Sequence, residues 1–208
     1  MNSDSPDKTV TVLDKQRVFD GYFKIDRYQL RHTLHRGGES EVLQREIFER
    51  GHIAAVLPVD PLRDALVLIE QFRPGAHAAG WDAWLMECVA GIIEPGETAH
   101  IVAQREAREE AGCTLLGTRL VMQFLSTPGA SSETVALFVA HIDSRDVGGV
   151  HGLPHEGEDI KVRVIPIDEA MQLLKAGKIV NAKTIIALQW LQLNYTELKR
   201  DWSQVTSE

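Results

Sequence analysis

Along the first fifty residues, β-branched and aromatic side chains recur at short spacing, and no helical period emerges. Thr9–Phe19, Gly21–His32 and Glu41–Phe48 read as strands. The run Arg36-Gly37-Gly38-Glu39 supplies a turn before the third of them. Strands this few cannot build a core alone, so they must pack on the main body or on a second subunit. From Gly51 the pattern changes. His52–Val59 and Ala65–Phe72 are apolar runs separated by Asp60-Pro61-Leu62-Arg63-Asp64, a hairpin turn. Trp84–Val89, Gly117–Phe124, Glu133–Ile142 and Lys161–Pro166 read as further strands. Between them, Thr98 to Ala111 has helical spacing: Thr98 caps the first turn, the body is rich in helix formers, and Gly112 ends it. Asp168 is expected to cap a helix that Gly177 ends, and Asn181 a longer one carrying Ile185, Ile186, Leu188, Trp190, Leu191 and Leu193. Trp81, Trp84 and Trp190 read as structural. The sum is an α/β fold with a mixed sheet between helices and an N-terminal antiparallel β appendage. We expect a division at 1–50 and 51–208.

Composition narrows the field. A chain of 208 residues with 44% hydrophobic content suits one domain, or one domain plus an appendage. No apolar run reaches membrane-spanning length. The opening Met1-Asn2-Ser3-Asp4-Ser5-Pro6-Asp7-Lys8 lacks the apolar core of a signal peptide and reads as a frayed tail. Cys88 and Cys113 read as buried thiols in a reducing cytoplasm rather than as a disulfide framework. A net charge of −8 argues against nonspecific nucleic-acid binding. It also makes an anionic substrate awkward unless local arginines and bound metal offset the field.

The Thr98–Ala111 helix carries the candidate chemistry. At about 100° per residue, Glu110 falls about 40° from Glu106, and Glu109 about 60° to its other side. Ala99, Val102 and Ala103 share that sector, so the acids lie on the inward face. Carboxylates crowded on a partly buried face repel one another and lose hydration, which is tolerable when cations are present. Arg105 is one such cation, beside Glu109. Glu106 and Glu110, at i,i+4, could share a divalent metal. Oxygen-only ligands suit Mg²⁺ or Mn²⁺.

The stretch from Gly91 to Cys113 resembles the Nudix box, G-x5-E-x7-R-E-U-x-E-E-x-G-U with U apolar. Gly91, Glu97, Arg105, Glu106, Glu109, Glu110 and Gly112 fill its fixed positions. Ala107 and Cys113 fill the U positions and are smaller than usual. The resemblance implies an α/β/α sandwich and metal-assisted hydrolysis of a nucleoside diphosphate linked to another group. A second acidic cluster, His155-Glu156-Gly157-Glu158-Asp159, lies on a loop made by Gly152, Pro154 and Gly157. On local sequence alone a solvated surface loop is the favoured reading, and Gly152 and Pro154 exclude a helical zinc pair of His151 and His155. Yet a general base must be free and able to reach a water, which a mobile loop carboxylate could be.

That E-x-E-D pattern resembles bacterial ADP-ribose pyrophosphatases over nearly the whole chain. Further matching stretches are Arg45–His52, Val89–Gly91, His151–Leu153 and Ile186–Leu193, and Pro128 lies fifteen residues beyond Cys113, a marker of that subgroup. The resemblance implies Glu156 as base and Glu158 as a further acid near the metals. The surrounding Pro154, His155 and Gly157 leave open which of the two is the base. It implies Glu106 and Glu110 as main metal ligands with the backbone carbonyl of Ala90, Glu109 in support, and Glu97 and Arg105 as holders of the loop–helix–loop geometry. Arg73, otherwise an arginine at a strand end, would contact the diphosphate or terminal ribose. Arg45 and Glu46 would contact the adenosine half. Tyr22 would stack on adenine or, equally, pack its strand. Arg50 and Glu133 are weaker substrate candidates. Relatives exchange the N-terminal strands between subunits, which implies a homodimer. The expected reaction is Mg²⁺-dependent hydrolysis of ADP-ribose to AMP and ribose 5-phosphate. The alternatives are another nucleotide sugar of the GDP-mannose type, a noncatalytic ADP-ribose sensor, and a purely structural β module.

Overall fold

The computed structural model describes residues 8–205, with the side chains of 156 and 203–205 left undescribed. The frayed-tail expectation for the first residues therefore lies outside the described part. The chain divides into two compact units. One comprises the residues up to Gly51 with Leu125–Glu133; the other comprises His52–Phe124 and the chain from Thr134 onward. The segment 125–133 thus clusters with the N-terminal strands.

In the first unit, β1 (Val10–Asp20), β2 (Lys24–His32) and β3 (Leu43–Glu49) form a three-stranded antiparallel sheet in that order. Between β2 and β3, Gly37 and Gly38 take φ of 86° and 78°, a conformation that side chains with a Cβ resist. Every residue of β1 is exposed. Asp26 is the buried residue of β2, held between Lys15 and Arg17 of the neighbouring strand. The 125–133 segment docks on β3 through the Phe48 amide, which donates to the Ala130 carbonyl at 2.8 Å.

The second unit is an eight-stranded mixed sheet. Its strands are β4 (Ile53–Asp60), β5 (Ala65–Phe72), β6 (Trp84–Glu87), β7 (Val89–Ile92), β8 (Gly117–Leu125), β9 (Thr134–His141), β10 (Gly149–His151) and β11 (Ile160–Pro166). The order is β10-β11-β5-β4-β9-β8, with β6 on β5 and β7 on β4. β4 runs parallel to β9 and antiparallel to β5. All eight residues of β4 are buried, as expected of a strand covered on both faces. Ile53, Ala55, Leu57 and Val59 face a core shared with Ile167 and Ala170 of helix α3 (Ile167–Lys175) and with Leu188, Leu191, Leu198 and Trp202 of helix α4 (Ala182–Val205). Ala54 and Val56 face the opposite core, with Val102, Ala103, Ala107 and Ala111 of helix α2 (Ala99–Ala111). A short helix α1 spans Pro74–Ala78. The result is the helix–sheet–helix sandwich that the sequence predicts.

Several expectations change. The strand expected over 84–89 is two strands, because the chain leaves β5 after Glu87 and joins β4 at Val89. Helix α3 starts at Ile167 with Pro166 at its N-cap; Asp168 lies in the first turn and does not cap. Asn181 does cap α4, its side-chain oxygen accepting from the Thr184 amide at 3.2 Å. Trp190 packs partly buried on the core, whereas Trp81 and Trp84 are each 63% exposed and outside it. Short elements α1 and β10 have too few residues for a periodic signal. Both cysteines are free and buried, and burial pushes the Cys88 thiol up to about 11. No helix among the described residues is long and apolar enough to cross a membrane.

Candidate active site

The site is built where β7 runs into the loop before α2. Thr98 takes an extended backbone and its side chain accepts from the Ile101 amide, so the helix starts where the sequence places it. Gly112, at φ 62°, closes it in the left-handed conformation. At Gly91 a Cβ would lie 1.7 Å from the Glu106 Oε1 and 2.5 Å from its Cγ. Glycine here lets the Glu106 side chain lie directly over the strand backbone, a placement that any Cβ would displace.

One turn along the helix, Glu110 is 3% exposed and accepts from the Ala90 amide at 3.1 Å. Burial pushes its carboxyl up to about 8; the Ala90 amide works against the shift and the nearby Glu106 adds to it. Burial likewise raises Glu106, opposed by Arg105. Arg105 gathers the rest of the acids. Its Nη1 donates to Glu106 at 2.7 Å and to Glu109 at 3.0 Å, and its Nε to Glu97 at 3.3 Å. Glu97 also accepts from the Glu94 amide at 3.1 Å, which closes the loop ahead of the helix. That amide, and then Arg105, hold the Glu97 carboxyl below its ordinary range. One guanidinium therefore serves three carboxylates while Glu110 stands apart on a backbone amide. Such a face is short of positive charge. Among the described residues no group of three His, Cys, Asp or Glu side chains is assembled to hold a metal ion as it stands.

The loop that follows β10 is tied to the same helix. The Gly152 amide donates to the Glu109 carbonyl at 3.3 Å, and the His151 ring fills the space beside Gly112, where a Cβ would lie 2.7 Å from it. Pro154–Glu156 form a 3₁₀ turn, ended by Gly157 at φ 73°. Glu158 reaches back and accepts from the Leu153 amide at 3.0 Å. The Glu156 backbone belongs to this turn; its side chain lies outside the described residues.

Arg73, just past β5, donates through Nε (3.0 Å) and Nη2 (2.6 Å) to one oxygen of Glu87. Burial disfavours the charge on Arg73, but Glu87 outweighs it, with Glu110 and Glu158 adding to the effect. Glu87 is 1% exposed, and its other oxygen accepts from the Asn181 side-chain amide at 2.9 Å. Sequence reading passed over Glu87: it lies in no motif, and a lone acid at a strand end carries no signal.

The remaining candidates lie in the first unit. Tyr22 is 87% exposed and meets Phe23 edge to face. Arg45 donates to the Gln44 carbonyl at 2.8 Å. Glu46 is paired across the strands with Arg27 at 2.9 Å. Arg50 and Glu133, distant in sequence, form an ion pair at 2.7 Å.

Known proteins resemble this chain over most of its length. Residues 50–188 match the family model described as the NUDIX domain. The ADP-ribose pyrophosphatase of Escherichia coli strain K12 is 46% identical over 194 residues, covering 93% of each chain. That of Haemophilus influenzae is 39% identical, covering 94% of this chain and 91% of the relative. The GDP-mannose pyrophosphatase of Cronobacter sakazakii is 34% identical, covering 87% and 94%. A crystal structure described as an ADP compounds hydrolase superposes with a TM-score of 0.66 over 95% of this chain and 96% of that one, at 21% identity, which speaks for the fold alone. On the family match, the extent of these relatives and the glutamate-lined helix beneath Gly91, the chain belongs to the Nudix family.

Proposed function

We propose that this protein hydrolyses the pyrophosphate bond of ADP-ribose, releasing AMP and ribose 5-phosphate, with Mg²⁺ or Mn²⁺ as cofactor. The observation that carries this reading is the α2 face, where Glu106 and buried Glu110 lie against β7 with too little positive charge near them. The substrate class rests on the 46% identity with an ADP-ribose pyrophosphatase over almost the whole chain.

The donor set suits a hard cation: it is all oxygen, and buried Glu110 needs a positive partner to ionise near neutral pH. Glu106 and Glu110 would be its main ligands, with the Ala90 carbonyl, Glu109 and Glu158 completing the set. The chemistry such a cation would supply when bound is charge neutralisation at the diphosphate and acidification of a water. Glu97 and Arg105 keep the helix and its preceding loop in register. Arg73 would grip the pyrophosphate with the part of its guanidinium that Glu87 leaves free. Glu156 would take the proton of the water that attacks phosphorus, as the bridging oxygen departs with its electron pair. Tyr22, Arg45 and Glu46 would receive the adenosine half, and the Arg50–Glu133 pair is a weaker candidate for substrate contact. Residues 1–50 would form the dimerising unit, exchanged between the subunits of a homodimer, and 51–208 the hydrolase domain. The protein would work in the cytoplasm on a small nucleotide sugar, without nucleic acid or membrane.

A second reading, a GDP-mannose type substrate, draws on the 34% identical relative and is weaker by that margin. Product identification decides. ADP-ribose with Mg²⁺ should yield AMP and ribose 5-phosphate, and EDTA should abolish the reaction. Cleavage of GDP-mannose in preference to ADP-ribose would replace the substrate assignment. Tight ADP-ribose binding without turnover in Mg²⁺ would make the protein a sensor.

A further inference from the structure

Burying a carboxylate costs it its hydration, and a buried ion pair seldom repays that in stability. Glu87 nevertheless sits 1% exposed at the end of β6, opposite Ile69 of β5, where an apolar side chain would pack without that cost. Its two oxygens have separate tasks. One takes the Nε and Nη2 of Arg73, and the other takes the side-chain amide of Asn181. Asn181 is itself fixed, because its oxygen caps α4 through the Thr184 amide. Thr184 then accepts, through its hydroxyl, from the Cys88 amide at 2.8 Å. That amide is the joint where the chain passes from β6 to β7. The Glu87 carboxylate is thus held at both ends by secondary structure, and so is the edge of Arg73 that it binds.

We propose that Glu87 is a positioning residue for the hydrolase: it aims the Arg73 guanidinium, binding its Nε–Nη2 edge and leaving Nη1 for the substrate pyrophosphate. The inference rests on the reading that Arg73 grips that group. A flexible arginine at a strand end would have to be ordered on each binding event. One already clamped by a rigid carboxylate gives up little freedom when substrate arrives. The effect of Glu87 should therefore appear in substrate affinity and should require Arg73.

The experiment is steady-state kinetics on ADP-ribose with saturating Mg²⁺ for the intact protein, Arg73→Ala, Glu87→Gln and the double variant. Arg73→Ala should raise KM by about 10- to 100-fold, the worth of one charged hydrogen-bonding group, with a smaller change in kcat. Glu87→Gln should raise KM toward the same value, and the double variant should be no worse than Arg73→Ala alone. Should Glu87→Gln fail to fold, Glu87→Asp keeps the charge and shortens the reach; a raised KM supports the proposal and an unchanged one overturns it. A raised KM for Arg73→Ala beside an unchanged KM for Glu87→Gln overturns the role of Glu87 and spares that of Arg73. Fully additive losses in the double variant also overturn it, because Glu87 would then act independently of Arg73. An unchanged KM for Arg73→Ala overturns both assignments.

Discussion

At the scale of single residues, Gly91 and Glu156 offer the sharpest tests. A methyl group at Gly91 meets the Glu106 side chain from Cγ to Oε1 and no backbone atom, so Glu106 has to swing away while the strand can stay in place. The swing would break its contact with Arg105 and remove a carboxylate from the metal set. Misplacing a reacting group by about 1 Å is worth on the order of 10²-fold in rate. Gly91→Ala should therefore lose about that factor in kcat/KM while its melting temperature changes little; unimpaired hydrolysis would remove Glu106 from the site. Glu156→Gln should lose roughly 10²–10⁴-fold in kcat, the usual worth of a general base. Turnover at the parent rate would pass the role to Glu158, whose carboxylate already holds the Leu153 amide.

The α2 element sets a pH dependence. In the folded, metal-free protein Glu110 titrates at about 8, against an ordinary value of 4.5. Between those values the native state holds a proton that the unfolded chain has lost. Stability is therefore greatest below the lower value and falls as pH rises through the upper one. Thermal unfolding in EDTA should show melting temperature declining from about pH 5 to about pH 9, and Glu110→Gln should flatten the decline. Mg²⁺ should restore stability at the alkaline end, because a cation favours the ionised carboxylate. A profile in EDTA that is the same with and without Glu110 would show that its burial costs nothing on ionisation. The same element shows where sequence reading succeeds. The Thr98 cap, the Gly112 terminus and the inward acids are consequences of local geometry at spacings of a few residues. The β6–β7 break is not, since the chain changes partner strand there without any Gly or Pro to mark it.

For the whole molecule, β1 presents Val10, Val12, Leu13 and Phe19 at 51–65% exposure, a poor arrangement for a strand left in water. A homodimer would cover it. Sedimentation or native mass measurement should give twice the 23.2 kDa of one chain, and a monomer at micromolar concentration would refute the assembly. The sandwich itself was legible because each of its layers is written locally: continuous apolar runs mark the doubly covered strands, and helical spacing marks the covers. The Nudix box was legible because its chemistry is confined to one loop and one helix. Arg50 meeting Glu133, Arg73 meeting Glu87, and Glu87 meeting Asn181 were not, for these partners are brought together by sheet pairing and helix docking. What this sequence determines unaided is periodicity, capping and a motif, all short-range properties of the backbone. The depth at which Glu110 is buried and the carboxylate that restrains Arg73 depend on which distant segments exclude water, and only the folded chain decides that.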